Sequence, residues 1–257
     1  MIILPAISEH IRVAPALFDG SYTKDATRSI PDNGTSDFWN AWYADMHQAI
    51  TFHDPVKNFL EHINPFFGYF GERIHPERKS PYAFHSGVDI AGKNKTSVYA
   101  MLPGILEYSG YGLVNGKYIM LSHPHIITQD GYVLHTLYIH LSHMRFAFSA
   151  YQKMLREISL HTYPRISVPA GAELGGMGKT GASSYPEEYT HVHIQCELRN
   201  KEGHIVFLDP LRILTGKEYR NLTADTQHPE DFQDIYHTHR DRIHEHKLEA
   251  IWDMPAS

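Results

Sequence analysis

Cysteine is all but missing from this sequence. Cys196 stands alone among 257 residues, which excludes an intramolecular disulfide. It falls on the apolar side of a strand-like stretch and reads as a packed thiol rather than a nucleophile. Long apolar runs are missing too, and no segment approaches the roughly 20 residues that cross a bilayer. The start, Met1 to His10, has no basic region and too short an apolar run before Glu9 for an evident signal peptide. Cations are not in excess: Lys and Arg are scattered and the net charge is −6 with histidine neutral. That argues against nucleic acid or an anionic membrane as the main partner. Internal repeats and low-complexity segments are absent. The glycine-rich turn Gly175 to Gly181 lacks the Walker spacing and no helix pattern follows it, so it is not a phosphate loop.

What is present is enough apolar residue, 42 %, to bury a large core. The chain reads in three parts: an N-terminal arm with helices over 1–65, a β-rich domain over 66–216, and a polar, His-rich helical tail over 217–257. Residues 1 to about 35 hold turn formers and little periodicity, and read as irregular. Ser36 is placed to cap a helix from Asp37 to about Ile50, because Phe38, Trp42, Tyr43, Met46 and Ile50 recur at helical steps. That stripe reads as packing rather than a ligand box. A short helix is expected over Val56 to Ile63.

Beyond Phe66 the texture is short strands and turns. Val98 to Met101 and Gly104 to Tyr108 are strand-like, and strands resume near Ile166. Asn115-Gly116 and Asp130-Gly131 each sit between apolar runs and supply the positive φ angles of two-residue hairpins. Antiparallel sheet is the economical reading, so the fold class is mainly β, with peripheral helices. One such helix is expected as an insertion over Met144 to His161, with Phe148, Tyr151, Leu155 and Ile158 on one face, and another over Glu230 to about Ile251.

Histidine is the abundant residue, with 20 copies. Chance alone produces His-x-His on the order of once or twice at that density. The sequence holds four: His123/His125, His191/His193, His237/His239 and His244/His246. His191/His193 lies in Thr190 to Arg199, where alternation sets His191, His193, Gln195 and Glu197 on one face and Val192, Ile194, Cys196 and Leu198 on the other. The remaining pairs read as exposed or capping histidines. Two further segments offer donors: His85-Ser86-Gly87-Val88-Asp89 and Tyr138-Ile139-His140-Leu141-Ser142. A catalytic zinc needs three nitrogen, oxygen or sulfur donors and an open fourth position. Two neutral histidines with one aspartate would leave such a site near +1, which acidifies water to a pKa of roughly 7. His-Glu-x-x-His does not occur here, so its glutamate base is replaced by some other group. A pair of unligated histidines can do that work, one taking the proton and one stabilising the oxyanion.

His-x-Gly-x-Asp, Tyr-x-His-Leu-Ser and His-x-His, in this order, resemble the lysostaphin-type (LytM-like) zinc endopeptidases of bacterial cell walls. Phe70 to Pro76, Gly178-Lys179-Thr180-Gly181 and Asp209-Pro210-Leu211 support the resemblance, which covers roughly Phe66 to Leu214. It implies one zinc per chain on His85, Asp89 and His193, with His140 and His191 as the unligated catalytic pair. Which of the two is the base stays open. It implies an open-grooved antiparallel domain, a peptidoglycan peptide as substrate, and a place in the cell envelope. Gln195 stands where the family often has glutamate, and the insertion after Ser142 replaces what is commonly a short loop. A degenerate, inactive member that binds wall peptide or activates another hydrolase is the alternative. Metal storage by a His-rich protein is a further one, and it predicts several weak sites rather than one cluster.

Overall fold

The computed structural model describes residues 1–14, 18–19, 28–64, 68–73, 83–146, 165–181 and 190–221. From the N-terminus these run through β1 (Ile2–Leu4), β2 (Ile11–Val13), β3 (Phe18–Asp19) and β4 (Arg28–Pro31) to the helix α1 (Ser36–Ala49). Short strands follow: β5 (Gly71–Arg73), β6 (Ala83–His85), β7 (Val88–Ala91) and β8 (Ser97–Tyr99). Three long ones come next, β9 (Gly104–Gly112), β10 (Gly116–Thr128) and β11 (Val133–Leu141). The chain closes with β12 (His143–Met144), β13 (Ser167–Val168), β14 (Glu173–Gly176), β15 (His191–Arg199), β16 (Ile205–Leu208) and the helix α2 (Pro210–Thr215).

The main sheet has the order β13-β9-β10-β11-β15-β16-β4-β2, with β1 added on β10 and β7 on β15. Its pairs are antiparallel except β1 with β10 and β16 with β4. Two three-stranded sheets, β12-β14-β8 and β3-β6-β5, flank it. Both expected hairpins form, and Gly116 and Gly131 take the positive φ angles, 59° and 86°, that the turns demand. The fold is mainly β, as the turn chemistry and alternation imply.

The alternation in β15 holds as well. Val192, Ile194, Cys196 and Leu198 are fully buried in the core. Cys196 is a packed thiol, and burial pushes its pKa up. The other face of β15 is buried too, but by polar neighbours, described below.

Several expectations are corrected. Residues 1 to about 35 are not wholly irregular: β1 runs parallel to the end of β10, and β4 runs parallel to β16. Strands of three or four residues carry no period of their own, and they exist because a distant edge offers a ladder. The helix over 36–49 is present, but its N-cap is Thr35 rather than Ser36, and the preceding turn is capped by Asp32, whose carboxylate accepts from Gly34 N. Val56 to Ile63 yields only the 3₁₀ turn Phe59–His62. Met144 belongs to β12, and the rest of the expected insertion helix lies largely outside the described residues, as does the tail helix.

The aromatic stripe of α1 packs, as its spacing implies. Trp39, Trp42, Tyr43 and Met46 are buried against β1 and α2, and burying each contributes about 2 kcal/mol. Their polar tips find partners: Trp39 Nε1 donates to His10 O at 2.7 Å and the Tyr43 hydroxyl accepts from Asp209 N at 2.9 Å. Asp209 caps α2 by accepting from Leu211 and Arg212 N, with Pro210 in the first turn. The Asp-Pro-Leu motif is thus a helix start rather than part of the chemistry.

Candidate active site

The site is assembled by register. β15 runs between β7 and β11, and its pairing sets His193 opposite Asp89 on one side and Ile139 on the other. His85 arrives from the end of β6, joined to β7 by Ser86-Gly87. That glycine is required by space. A Cβ there would lie 2.2 Å from Ile194 O and 2.7 Å from His193 Nε2, so only a bare Cα lets the β6–β7 turn lie under β15.

Three donors converge as a result. His85 Nε2 is 3.0 Å from His193 Nδ1 and 3.2 Å from Asp89 Oδ1, and the last two are 2.8 Å apart. A tetrahedral ion with donors at about 2.1 Å separates them from one another by about 3.4 Å, so these atoms need to part by only a few tenths of an ångström, roughly, to take one. Two imidazoles and a carboxylate are also the donor chemistry that suits zinc. The residues fit a metal. Among the described residues this is the cluster able to hold an ion.

The surroundings prepare the donors. His85 Nδ1–H donates to Tyr69 O at 2.8 Å, which leaves Nε2 bare. Burial and the Arg73 guanidinium push the His85 imidazole down to about 4, so it is neutral, as a ligand must be. Burial alone would raise the pKa of Asp89, but His85, His193 and His191 outweigh it and hold the carboxyl well below its usual range. Arg73 NH1 lies 3.2 Å from Asp89 Oδ2, the oxygen facing away from the cluster. Arg73 is 6 % exposed, so this is a buried charge pair.

His191 and His140 stand beside this cluster. His191 Nε2 is 3.9 Å from Asp89 Oδ1, and its ring centroid is 4.7 Å from that of His140. His140 reaches this position through a break in alternation. Between Lys117↔Leu141 and Ile119↔Tyr138 the strand β11 carries one residue more than β10, and His140 takes a left-handed φ of 65°. Such a bulge re-aims a side chain. Tyr138 and Leu141 stay in the core, and the imidazole between them swings to the face that carries His191 and His193. Its Nδ1–H donates to Thr180 O at 2.9 Å, so Nε2 is the free nitrogen. Burial, then His191, pushes this imidazole down to about 3.

The turn Gly178 to Gly181 therefore has a job. A Cβ on Gly178 would come within 2.5 Å of Ser142 N and 2.8 Å of His140 O, so the glycine lets the turn pack on the end of β11. Thr180 then supplies its carbonyl to His140, while its hydroxyl donates to Leu141 O and accepts from Lys117 N.

All five residues singled out from the sequence meet here: His85, Asp89, His140, His191 and His193. Sequence reading passed over Tyr69, Arg73 and Thr180 as participants. The motif spacing around Arg73 and Thr180 was the available signal, whereas Tyr69 acts through its backbone and leaves none. Gln195 donates to Glu197 Oε2 at 2.6 Å, and Glu197 pairs with Arg199, which continues the His191/His193 face of β15 as a polar chain. His123, expected to be exposed or capping, is instead fully buried under β9. The pairs His237/His239 and His244/His246 lie outside the described residues.

Residues 83–206 match peptidase family M23. Among characterised proteins, the chain is 28 % identical over 132 residues to the DD-carboxypeptidase/endopeptidase Mpg of Neisseria meningitidis serogroup B, covering 51 % of this chain and 24 % of that protein. The Neisseria gonorrhoeae protein of the same name matches to the same extent. The chain thus spans about a quarter of the length of these relatives. Among solved structures it is similar to the catalytic domain of lysostaphin from Staphylococcus simulans, at 22 % identity and a TM-score of 0.40, over 63 % of this chain and 98 % of that one. A zinc-containing peptidase from Vibrio cholerae aligns at 17 % identity and a TM-score of 0.39, over 62 % of this chain and 41 % of that one. The segment that matches peptidase family M23, a little under half of this chain, contains all five converging residues.

Proposed function

We propose that this chain is a zinc-dependent endopeptidase that hydrolyses peptide cross-links or bridges of bacterial peptidoglycan in the cell envelope. The observation that carries the reading is the convergence of His85 Nε2, Asp89 Oδ1 and His193 Nδ1 within 3.2 Å of one another. The names of the Neisseria relatives support the substrate class.

A zinc ion held by His85, Asp89 and His193 supplies Lewis acidity, polarising the scissile carbonyl and acidifying water. The residues around it manage the proton. His140 Nε2 is bare because Nδ1–H is committed to Thr180 O, so it accepts the proton as the water oxygen bonds to the carbonyl carbon. His191, on the adjacent strand and 4.7 Å away ring to ring, faces the same space and stabilises the developing oxyanion. The proton then passes from His140 to the leaving amine as the C–N bond breaks. Arg73 holds the remaining oxygen of Asp89, so the carboxylate presents one oxygen to the cluster.

The test is zinc content of the purified protein measured beside release of soluble muropeptides from purified sacculi, with and without a chelator. One zinc per chain and chelator-sensitive release are expected, and fragment masses would name the bond. One zinc without release would overturn catalysis in favour of a wall-binding module, and no zinc would overturn the metal assignment.

A further inference from the structure

The ligand cluster rests on a short segment outside the family-matched residues. Gly68 O accepts from Asp89 N at 2.9 Å, Tyr69 O accepts from His85 Nδ1–H at 2.8 Å, and Arg73 reaches Asp89 Oδ2. Residues 68–73 thus touch two of the three donor residues, His85 at its ring and Asp89 at both its backbone N–H and its carboxylate. What fixes the segment itself comes from the far end of the described chain.

Asn221 follows α2 and is 3 % exposed. Its side-chain amide reproduces a strand partner: Oδ1 accepts from Tyr69 N at 2.9 Å and Nδ2 donates to Tyr69 O at 2.9 Å. Nδ2 donates also to Glu72 O at 3.1 Å. Tyr69 O therefore accepts from Asn221 and from His85 at once, and its direction is set by the amide. Each bond fills a polar group that burial would otherwise leave unpaired. The Tyr219 ring packs at 5.4 Å from that of Tyr69 and seats the same segment.

We infer that Asn221 is a positioning residue for the metal centre: through the Tyr69 carbonyl it fixes the tautomer and orientation of His85. The inference rests on the zinc reading above. An amide is the side chain that serves here, since the site asks for one acceptor and two donors at one position. A carboxylate of the same shape keeps the acceptor for Tyr69 N but turns lone pairs toward two carbonyls.

The experiment compares full-length wild type, Asn221→Ala, Asn221→Asp and the control Glu218→Gln, a substitution on the neighbouring exposed side chain. Zinc affinity by chelator competition and the His85 ring tautomer by nitrogen NMR of the metal-free protein are the readouts. Wild type should carry the proton on Nδ1. Both Asn221 variants should bind zinc about 10- to 100-fold more weakly and lose the single tautomer, since partners of metal ligands typically contribute that much. Glu218→Gln should match wild type. Asn221 variants that bind zinc within twofold of wild type while melting earlier would overturn the inference and leave the residue a mere anchor. A wild-type His85 protonated on Nε2 would overturn it even if no variant folded. Failure of the zinc reading looks different: wild type then binds no zinc, while the tautomer readout still decides whether Asn221 orients His85.

Discussion

Among the described residues two His-x-His pairs lie on strands of one sheet, and only one of them meets the cluster of donors. His123 in β10 has both ring nitrogens occupied: Nδ1–H donates to Pro103 O at 2.9 Å and Nε2 accepts from the Thr136 hydroxyl at 2.9 Å. Its ring is wedged so close to β9 that a Cβ on Gly104 would fall 2.9 Å from it. His191 and His193 in β15 face a carboxylate and two more imidazoles. The same spacing yields a core plug in one place and donors in the other. The difference is what the ring nitrogens meet: a carbonyl and a hydroxyl around His123, a carboxylate and further imidazoles around His193. His85 and His140 each commit Nδ1 to a backbone carbonyl and keep Nε2.

The comparison breaks if a pair of substitutions behaves alike. His193→Ala should lose bound zinc and turnover together, down to background, the largest effect expected. Its counterpart His123→Ala should cost stability and leave one zinc per chain. Metal analysis of the two purified variants beside sacculus hydrolysis decides this, and a His193→Ala protein retaining stoichiometric zinc would sink the ligand assignment.

His140→Ala is expected next in size. It removes a nitrogen that stands beside the cluster but outside it, so zinc should stay while turnover falls about a hundredfold to ten-thousandfold. Steady-state rates on a soluble cross-linked peptide, with zinc content measured on the same sample, check the separation. Near-normal turnover would show that the free Nε2 takes no part.

Much of this was legible because it rests on local chemistry. Asn-Gly and Asp-Gly announce hairpins, alternation sorts the faces of β15, and His-x-Gly-x-Asp places a bare Cα where a strand must cross. The rest depends on what sequence cannot display. The alternation of β11 predicts His140 on the core side with Tyr138, and only the bulge at φ 65° turns it out. Strands β1 and β4 are too short for a period and exist through ladders lent by β10 and β16. Tyr69 contributes a carbonyl, which every residue has. Asn221 stands 152 residues from Tyr69, and nothing in the sequence ties them together.

Acid sharpens the comparison and gives the smaller effects. Burial pushes the His123 imidazole down to about 3, against an ordinary 6.5. In the window between those values the unfolded chain binds a proton that the folded one refuses. Stability therefore rises with pH there, and falls as pH drops below 6.5. By pH 4 this one residue should have cost about 3 kcal/mol. In metal-free protein His85 and His140 act in the same direction, while Asp209, raised to about 7 by burial, acts in the opposite one. Those contributions are common to wild type and His123→Gln, so the difference between their denaturant-derived stabilities at pH 7 and pH 4 isolates His123. The gap should close by about 3 kcal/mol on acidification, and a gap independent of pH would mean that His123 is charged in the fold. His125 completes the pair. It is only half-buried, its ring 6.2 Å from that of His123, so His125→Ala should change stability by no more than about 0.5 kcal/mol and leave zinc and turnover alone. One spacing would then contain a metal ligand, its catalytic neighbour, a core plug and a bystander, told apart only by where each ring nitrogen points.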